Sequence, residues 1–355
     1  MPTPTDALIA KVNKKLGSPV LVKGSDLKHV TFQRTSTGSF SFDVMLGGGW
    51  PLNCWNEVIG NESHGKTAMV IKTIAAAQNA NEDHETLWIA SEDFNIPWAE
   101  TLGVDMDRVT LALTNAMEEA YEIVIEAYLE RSVDAIVIDS YPALIPTSEF
   151  EGDIADWLPG LGARLTNKFM RKSSTAQRRS LTEDDRPCLG IVINQWREKI
   201  GVMMGDPRTT PGGKGKNFQY LTRVEVVRQD WLEDGSGKQK VKVGQTIKAQ
   251  TIKNKTAPPR RIGQVDFYFA DAKPFSAGDY DRGKELGTIG VAWDIIEKHG
   301  SWFHYQGEKW NGWEPMFLQL REDLDLQDHL MAQVNRVVNH VIEVPETKRR
   351  IRRKK

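Results

Sequence analysis

Residues 60–67 of this 355-residue chain read Gly60-Asn61-Glu62-Ser63-His64-Gly65-Lys66-Thr67. They fit G-x-x-x-x-G-K-[ST], a loop whose backbone N–H groups wrap a triphosphate. The glycines let the backbone approach phosphate oxygens, Lys66 reaches the β and γ oxygens, and the Thr67 hydroxyl holds Mg²⁺. An apolar run at 55–59 precedes the loop and a helical segment with one apolar face follows it. The sequence therefore predicts a nucleotide site at a strand-to-helix junction.

Apolar, strand-like runs alternate with helical stretches between residues 30 and 270. The runs are 55–59, 86–90, 134–138, 189–193, 223–227 and 244–252. Helical stretches such as 117–131 and 161–173 lie between the early ones. This alternation predicts an α/β fold with a central, mostly parallel sheet covered by helices on both faces. The turn at 233–237 joins two polar strands, which indicates a mixed sheet edge.

Smaller units flank this predicted core. Residues 1–29 contain an amphipathic helix at 6–15, which is too short to be stable alone and is expected to dock on its own core or on a neighbouring subunit. A small C-terminal domain is predicted at 271–340, and 341–355 is predicted to be a disordered tail. Seven of the last eight residues are basic, so the formal net charge of −2 hides an acidic body and a cationic end.

Composition excludes several classes of protein. No apolar run approaches the ~18 residues of a membrane span, and the N-terminus lacks a charged-then-apolar signal sequence, so a cytoplasmic protein is expected. Cys54 and Cys188 are too few for a disulfide framework and lack metal-ligand spacing. They are interpreted as buried, reduced thiols.

Three polar residues follow predicted strands, where ligands of open parallel sheets bind. Asp139 ends the run 134–138 and is interpreted as the acid that holds Mg²⁺ beside Thr67, although such a residue is often only a helix cap. Glu92 follows 86–90, where a carboxylate can take a proton from an attacking water or can be a solvated strand end. Gln195 can contact the γ-phosphate or be an ordinary polar strand end.

Several segments, taken in order and spacing, resemble one family. They are STGSFSFD at 36–43, the loop at 60–67, VIDS at 137–140, NQWREKIGVM at 194–203 and KNK at 253–255. Together they resemble the bacterial RecA recombinase family, phage-encoded members in particular, from about residue 6 to residue 338. The resemblance implies a RecA-like P-loop NTPase core with an N-terminal oligomerisation segment and a small α+β C-terminal domain. It also implies a cytoplasmic, ATP-dependent protein, in the host cell if phage-encoded. Such a protein forms a helical filament on single-stranded DNA and pairs this strand with homologous duplex DNA. The resemblance leaves open whether single-strand-binding or mediator proteins assist.

The resemblance assigns roles at the nucleotide site. It makes Lys66 and Thr67 the phosphate and Mg²⁺ ligands, Glu92 the water-activating base, Asp139 the second metal-site acid and Gln195 the γ-phosphate sensor. It also places Trp98 where an aromatic ring stacks on adenine. The implied ATP-binding set is Gly60, Asn61, Glu62, Ser63, His64, Gly65, Lys66, Thr67, Trp98, Asp139 and Ser140.

The same resemblance implies a site shared between subunits. Lys253 and Lys255 match a pair that reaches the ATP of the neighbouring subunit, which would make hydrolysis depend on assembly. Phe218 matches an interface residue that links ATP state to DNA affinity. Asn217 stands where the family has a basic residue.

Two DNA-binding loops are implied, at 151–160 and 196–213. The first carries Trp157-Leu158-Pro159, which departs from the bacterial pattern. In the second, cations are expected to hold phosphates while apolar side chains wedge between bases, with glycines that keep the loop flexible. The predicted DNA-binding set is Arg164, Arg197, Lys199, Ile200, Val202, Met203, Arg208, Gly212 and Gly213.

The C-terminal domain is expected to gather duplex DNA. Its aromatic residues are Trp293, Trp302, Trp310 and Trp313. They are interpreted as core residues rather than as a base-stacking platform. Bacterial relatives end in an acidic tail that restrains DNA binding, whereas the cationic end of this chain is expected to attract DNA.

Two other functions remain open at this point. A hexameric helicase or motor uses the same core fold, but usually adds an arginine finger and a large extra domain that the sequence does not show. A recombination accessory protein would bind nucleotide and assemble without exchanging strands. Its nucleotide site is often degraded, whereas every core position is present here.

Overall fold

A computed structural model describes residues 3–17, 20–24, 33–153, 160–179, 186–198, 205–213 and 215–342. Its centre is an eight-stranded sheet. In chain order, the strands of the structure are β1 (Arg34–Thr35), β2 (Trp50–Pro51), β3 (Cys54–Gly60), β4 (Thr86–Ala90), β5 (Val109–Ala112), β6 (Ala135–Asp139), β7 (Leu189–Gln195), β8 (Arg197–Glu198), β9 (Arg208–Thr209), β10 (Thr222–Asp234), β11 (Val241–Asn254), β12 (Ile262–Tyr268), β13 (Glu297–His299), β14 (Trp302–Tyr305) and β15 (Glu308–Asn311).

Helices cover this sheet and build the C-terminal part of the chain. They are α1 (Pro4–Leu16), α2 (Phe40–Leu46), α3 (Lys66–Ala80), α4 (Ile96–Thr101), α5 (Met117–Glu130), α6 (Thr147–Glu151), α7 (Leu161–Arg179), α8 (Lys216–Gln219), α9 (Arg282–Ala292), α10 (Trp313–Glu322) and α11 (Leu324–Ile342). Short 3₁₀ turns lie at Met106–Arg108, Tyr141–Ala143 and Gly237–Gln239. Among the described residues, every helix is too short or too polar to span a lipid bilayer.

The central sheet is parallel over most of its width. Its strand order is β12-β11-β10-β3-β7-β6-β4-β5. Strands β10, β3, β7, β6, β4 and β5 pair in parallel, whereas β10, β11 and β12 pair antiparallel. The predicted α/β class and the mixed edge are therefore confirmed.

Both faces of the sheet are covered, as the sequence predicts. On one face, apolar residues of α2, α3 and α4, including Phe42, Ile74 and Ala99, pack under the strands. On the other face, α5 and α7 contribute Val124 and Phe169. Parallel strands are buried on both sides, which explains their nearly continuous apolar runs.

The C-terminal unit has its own small core. A three-stranded sheet of β13, β14 and β15 packs with α9, α10 and α11, and Phe40 and Val44 of α2 join this core from the ATPase side. The expectation that the four tryptophans are core residues holds for Trp310, which is buried. It is wrong for Trp302 and Trp313, whose exposed fractions are 46% and 39%.

Several element boundaries differ from the predicted ones. Strands β10 and β11 are longer than expected because they continue as a two-stranded hairpin beyond the sheet. Helix α7 extends to Arg179, and α11 ends at Ile342, so the first two residues of the predicted tail are helical. The predicted basic run at 348–355 lies outside the described residues, and the domain limits stay predictions.

Candidate functional site

Four neighbouring parallel strands end at one edge of the sheet, and their ends carry the predicted nucleotide-site residues. Gly60 at the end of β3 is in register with Gln195 at the end of β7. Asp139 at the end of β6 is in register with Ala90 of β4, two residues before Glu92. Because β3, β7, β6 and β4 are adjacent, the structure brings these residues together at one edge.

The nucleotide loop requires its two glycines for steric reasons. A Cβ atom at Gly60 would lie 2.4 Å from the carbonyl oxygen of Val226. Gly65 has φ +90°, and a Cβ atom there would lie 2.6 Å from Ile247 Cδ1. The loop is therefore held against β10 and β11, with its backbone close enough to the sheet that only glycine fits.

Lys66 begins helix α3 directly after the loop. Its side chain is buried, and its ammonium donates a hydrogen bond to the carbonyl oxygen of Asn61, 2.6 Å away. Burial lowers the pKa of Lys66, while the carboxylates of Asp139 and Glu92 act in the opposite direction. The ammonium thus lies folded over the loop that is predicted to hold phosphate.

An acidic pair faces Lys66 across the site. Burial, followed by the nearby charge of Glu92, raises the pKa of Asp139 to about 7, against a hydrogen bond from the Thr67 hydroxyl and the charge of Lys66. The Ser140 hydroxyl donates a hydrogen bond to Glu92, and the Ser91 hydroxyl donates to the Ser140 carbonyl oxygen at 2.8 Å. The two carboxyl groups are therefore close enough for their charges to interact, and Lys66 opposes the rise in the pKa of Asp139.

His64 is a distinctive residue of the loop. Its ring hydrogen-bonds to the Val226 backbone, and burial is the largest of the effects that lower its pKa, followed by the positive charge of Arg228. Its Nδ1 is buried without a hydrogen-bond partner among the described residues. The Arg228 guanidinium lies 3.4 Å from the Ser63 carbonyl oxygen, so β10 contacts the loop at two adjacent residues.

Trp98 lies on α4 and is half-buried. Its ring packs edge-on against Phe267 of β12, with ring centroids 6.3 Å apart. Gln245, the register partner of Phe267 on β11, lines a small cavity of about 230 Å³ beside the nucleotide loop. Residues on β11 and β12 thus connect Trp98 to the loop. The adenine-stacking role of Trp98 stays a prediction.

Lys253, Lys255 and Phe218 lie together, away from this edge. The Lys253 ammonium donates to the Asn217 carbonyl oxygen at 2.7 Å and to that of Phe218 at 3.3 Å. Burial, followed by the charge of Lys255, lowers the pKa of Lys253 to about 8. Phe218 is 77% exposed.

The sheet register fixes where these residues lie relative to the nucleotide loop. Asn254 pairs with Thr222, which pairs with Asn56, four positions before Gly60. At about 3.3 Å per residue, the two lysines therefore lie about 13 Å along the strands from the loop of their own subunit.

The predicted DNA-binding residues are only partly described. Lys199, Ile200, Val202 and Met203 lie outside the described residues, as do residues 154–159 of the first loop. Arg164 on α7 and Arg197 are exposed.

The described part of the second loop makes more specific contacts than the sequence suggests. Short strands β8 and β9 pair across its base. The Arg208 guanidinium is paired with Asp206 and Glu225 and lies 4.6 Å from the Trp196 ring. Gly212 and Gly213 have positive φ, and a Cβ atom at Gly212 would lie 2.6 Å from the Tyr141 hydroxyl, so this glycine is needed for close packing.

Sequence reasoning missed a buried polar cluster next to these loops. Glu57, inside β3, forms ion pairs with Lys216 at 2.9 Å and with Arg223 at 2.5 Å. The side chains of Glu57 and Lys216 are fully buried. The Asn194 side chain donates to the Glu57 carboxylate at 2.9 Å. One signal was available, because a polar residue and an acidic residue, Asn56 and Glu57, interrupt the strand run at 55–59.

Comparisons with known proteins agree with this geometry. The model of the RecA N-terminal domain matches residues 4–273. Protein RecA of Bacillus thuringiensis (strain Al Hakam) is 35% identical over 328 residues, which cover 92% of this chain and 90% of that protein. Protein RecA of Staphylococcus aureus (strain JH9) is 36% identical over 328 residues, covering 92% of this chain and 89% of that protein.

The matches extend through the nucleotide loop, the strand ends and both regions of the predicted DNA loops. A family model over most of the chain and relatives of this identity over most of their own length establish the family. The chain belongs to the RecA family, whose members are DNA-dependent ATPases that act in homologous recombination and repair.

Proposed function

We propose that this protein assembles as a helical filament on single-stranded DNA, and that ATP bound between subunits sustains the filament while it pairs with homologous duplex DNA. The observation that carries the proposal is the convergence of the nucleotide loop, Gln195, Asp139 and Glu92 at one sheet edge, where Gln195 is in register with Gly60. Gln195 also directly precedes the predicted DNA-binding loop 196–213. A γ-phosphate that contacts Gln195 would thus contact the residue next to the base of that loop.

Each residue of the edge has a proposed task. Backbone N–H groups of residues 61–67 bind phosphate, and Lys66 exchanges its hydrogen bond to the Asn61 carbonyl oxygen for β and γ oxygens. Glu92 accepts a proton from the attacking water, and the Ser140 hydroxyl orients its carboxylate. Gln195 contacts the γ-phosphate through its amide.

The donor set fits Mg²⁺. Thr67 and Asp139 supply hard oxygen ligands, and burial together with the nearby charge of Glu92 raises the pKa of Asp139, which a bound cation would oppose. Among the described residues no group of three or more His, Cys, Asp or Glu could form an all-protein metal cage, and Mg²⁺ usually binds through one or two protein ligands plus substrate phosphates. When bound, the ion would neutralise charge on the phosphates.

Lys253 and Lys255 are proposed to act on the ATP of a neighbouring subunit. They lie about four residues along the sheet from the nucleotide loop of their own subunit, which disfavours contact with the ATP bound by that same subunit. Phe218, beside them and mostly exposed, is proposed to enter the same interface. Hydrolysis would then require assembly, because charge stabilisation comes from the next subunit.

Single-stranded DNA is proposed to bind along loops 151–160 and 196–213, with Arg164 and Arg197 holding phosphates. Arg208 would first have to leave Asp206 and Glu225. The C-terminal unit and the basic tail are proposed to attract duplex DNA. Single-strand-binding or mediator proteins are proposed as accessory partners.

Joint-molecule formation tests the proposal directly. The purified protein is incubated with ATP, Mg²⁺, a single strand and homologous duplex, and joint molecules are resolved on a gel. We expect joint molecules with the wild-type protein and none with Lys66→Ala, since that change removes the phosphate ligand. Arg186→Met, which alters an ion pair with Asp134 at the opposite end of β6 from Asp139, serves as a control for general folding defects.

DNA-stimulated ATP hydrolysis without joint molecules would instead favour a DNA motor or an accessory protein. Strand exchange by the Lys66→Ala variant, or by the wild-type protein without nucleotide, would contradict the proposed mechanism.

A further inference from the structure

The ammonium group of Lys216 has three directed partners inside the protein. It donates hydrogen bonds to Thr210 Oγ1 at 2.7 Å, Glu57 Oε1 at 2.9 Å and Asn217 Oδ1 at 3.2 Å. A lysine ammonium has three N–H bonds, so every donor is used. The side chain has no exposed surface. Its position is therefore fixed by polar contacts on three sides.

These partners belong to three different parts of the proposed machinery. Glu57 lies in β3, three residues before Gly60 and the nucleotide loop. Thr210 is in the predicted DNA-binding loop 196–213. Asn217 directly precedes Phe218, the exposed aromatic residue predicted at the subunit interface. A single buried charge thus contacts all three parts at once.

Glu57 extends the same cluster toward the γ-phosphate. Its Oε1 also accepts a hydrogen bond at 2.9 Å from Asn194, the residue before Gln195, and its Oε2 is paired with Arg223 at the start of β10. Consequently, both ends of loop 196–213 are attached to Glu57. Asn194 attaches the first end directly, and Thr210 attaches the second end through Lys216.

Stability alone is a weak reason for such a cluster, because replacing a buried ion pair by apolar side chains of similar volume is often neutral or stabilising. What the ion pair does supply is a fixed geometry between elements far apart in sequence. We propose that Lys216 is a positioning residue that holds the base of the DNA-binding loop in register with the strand that enters the nucleotide loop. DNA binding at loop 196–213 is thereby transmitted to ATP turnover.

This inference rests on the proposed function and adds the internal link between its two sites. The test compares steady-state ATP turnover with and without single-stranded DNA, together with ATP affinity, single-stranded DNA affinity and thermal unfolding. The variants are Lys216→Met, the charge-balanced double variant Glu57→Gln/Lys216→Met, and Thr210→Val. The last removes only the hydrogen bond to the loop and leaves the ion pair intact. Arg321→Met is the matched control, since it removes a cation from the buried carboxylate of Asp281 elsewhere in the molecule.

We expect Lys216→Met and the double variant to reduce the stimulation of ATP turnover by DNA about 10-fold, within the range of typical coupling between sites. Thr210→Val should reduce it roughly 3-fold, while Arg321→Met should keep it. Affinities for ATP and for DNA should each change by less than about 3-fold, because neither ligand is expected to contact Lys216.

A purely structural role would lower the unfolding temperature of Lys216→Met and leave the stimulation ratio of folded protein unchanged. That result, or wild-type stimulation in both the double variant and Thr210→Val, would overturn the inference. If the wild-type protein itself shows no stimulation by single-stranded DNA, the proposed function fails instead, so the two failures are distinguishable.

Discussion

The carboxyl groups of Glu57, which is buried, and Asp139, which is half-buried, lie on strands of the same sheet separated by β7, but their surroundings differ. Glu57 has two cations and an amide donor within hydrogen-bond distance. Asp139 has the Thr67 hydroxyl as its hydrogen-bond donor, and the acidic Glu92 nearby raises its pKa. Two protein cations pair with the first carboxylate, whereas the charge of Lys66 only partly offsets the effects of burial and Glu92 on the second, which is proposed to bind Mg²⁺. The comparison contrasts a group proposed to position other elements with a group proposed to bind a ligand.

The largest expected effect is at Asp139. Asp139→Asn should lower DNA-stimulated ATP turnover by roughly 10³-fold, about 4 kcal/mol in activation free energy, because a neutral amide is a poor Mg²⁺ ligand. The unfolding temperature should not fall, since the change removes a carboxyl group that lies close to another acid. Steady-state hydrolysis and thermal unfolding of the same preparation measure both quantities. A large loss of stability would mean that Asp139 is structural, like Glu57.

Substitution of Glu57 should, in contrast, lower stability more than activity. Glu57→Gln leaves Lys216 and Arg223 with an amide in place of a carboxylate, so the free energy of unfolding should fall by about 3 kcal/mol. Urea denaturation measures this loss. The double variant Glu57→Gln/Lys216→Met should recover part of it, because the unpaired buried ammonium is also gone. No difference between the single and double variants would show that the pair is not energetically coupled.

Sequence patterns predicted which residues meet at the edge of the sheet beside the nucleotide loop, because each of them belongs to a short, recognisable stretch of sequence. The loop at 60–67 is contiguous, and Asp139, Glu92 and Gln195 each follow an apolar strand whose end a parallel sheet brings to the same edge. The Glu57 cluster could not be predicted in the same way. Glu57 and Lys216 are 159 residues apart, and their contact depends on how α8 returns to the sheet after loop 196–213.

The described part of loop 196–213 illustrates a second limit of sequence patterns. Its glycines indicate flexibility, but Gly212 is required because it packs against the Tyr141 hydroxyl. Its arginine indicates DNA binding, but Arg208 is already paired with two acids. Composition identifies which groups are available, whereas only the fold shows which of them are already engaged.

A third acid gives the smallest predicted effect and extends the comparison to a carboxyl group held by a hydroxyl and a backbone N–H instead of by an ion pair. Glu285 on α9 accepts hydrogen bonds from the Ser39 hydroxyl and, at 3.2 Å, from the Ser41 N–H at the start of α2. Burial, with a smaller contribution from the charge of Asp43, raises the pKa of Glu285 to about 8, against the hydrogen bonds from Ser39 and Ser41. The folded state therefore keeps a proton on Glu285 at neutral pH, whereas the unfolded chain releases it near the ordinary value of 4.5.

Because the folded-state pKa is the higher one, the stability from this group is present below about pH 4.5 and is lost as the pH rises toward about 8. Between pH 5.5 and pH 7, the wild-type free energy of unfolding should fall by about 2 kcal/mol more than that of Glu285→Gln, whose amide does not titrate. Urea denaturation at both pH values measures the difference, with the exposed Glu297→Gln as control. If Glu285→Gln showed the same pH dependence as the wild type, Glu285 would be ionised in the folded protein and a cation would have to compensate it, as Lys216 and Arg223 compensate Glu57.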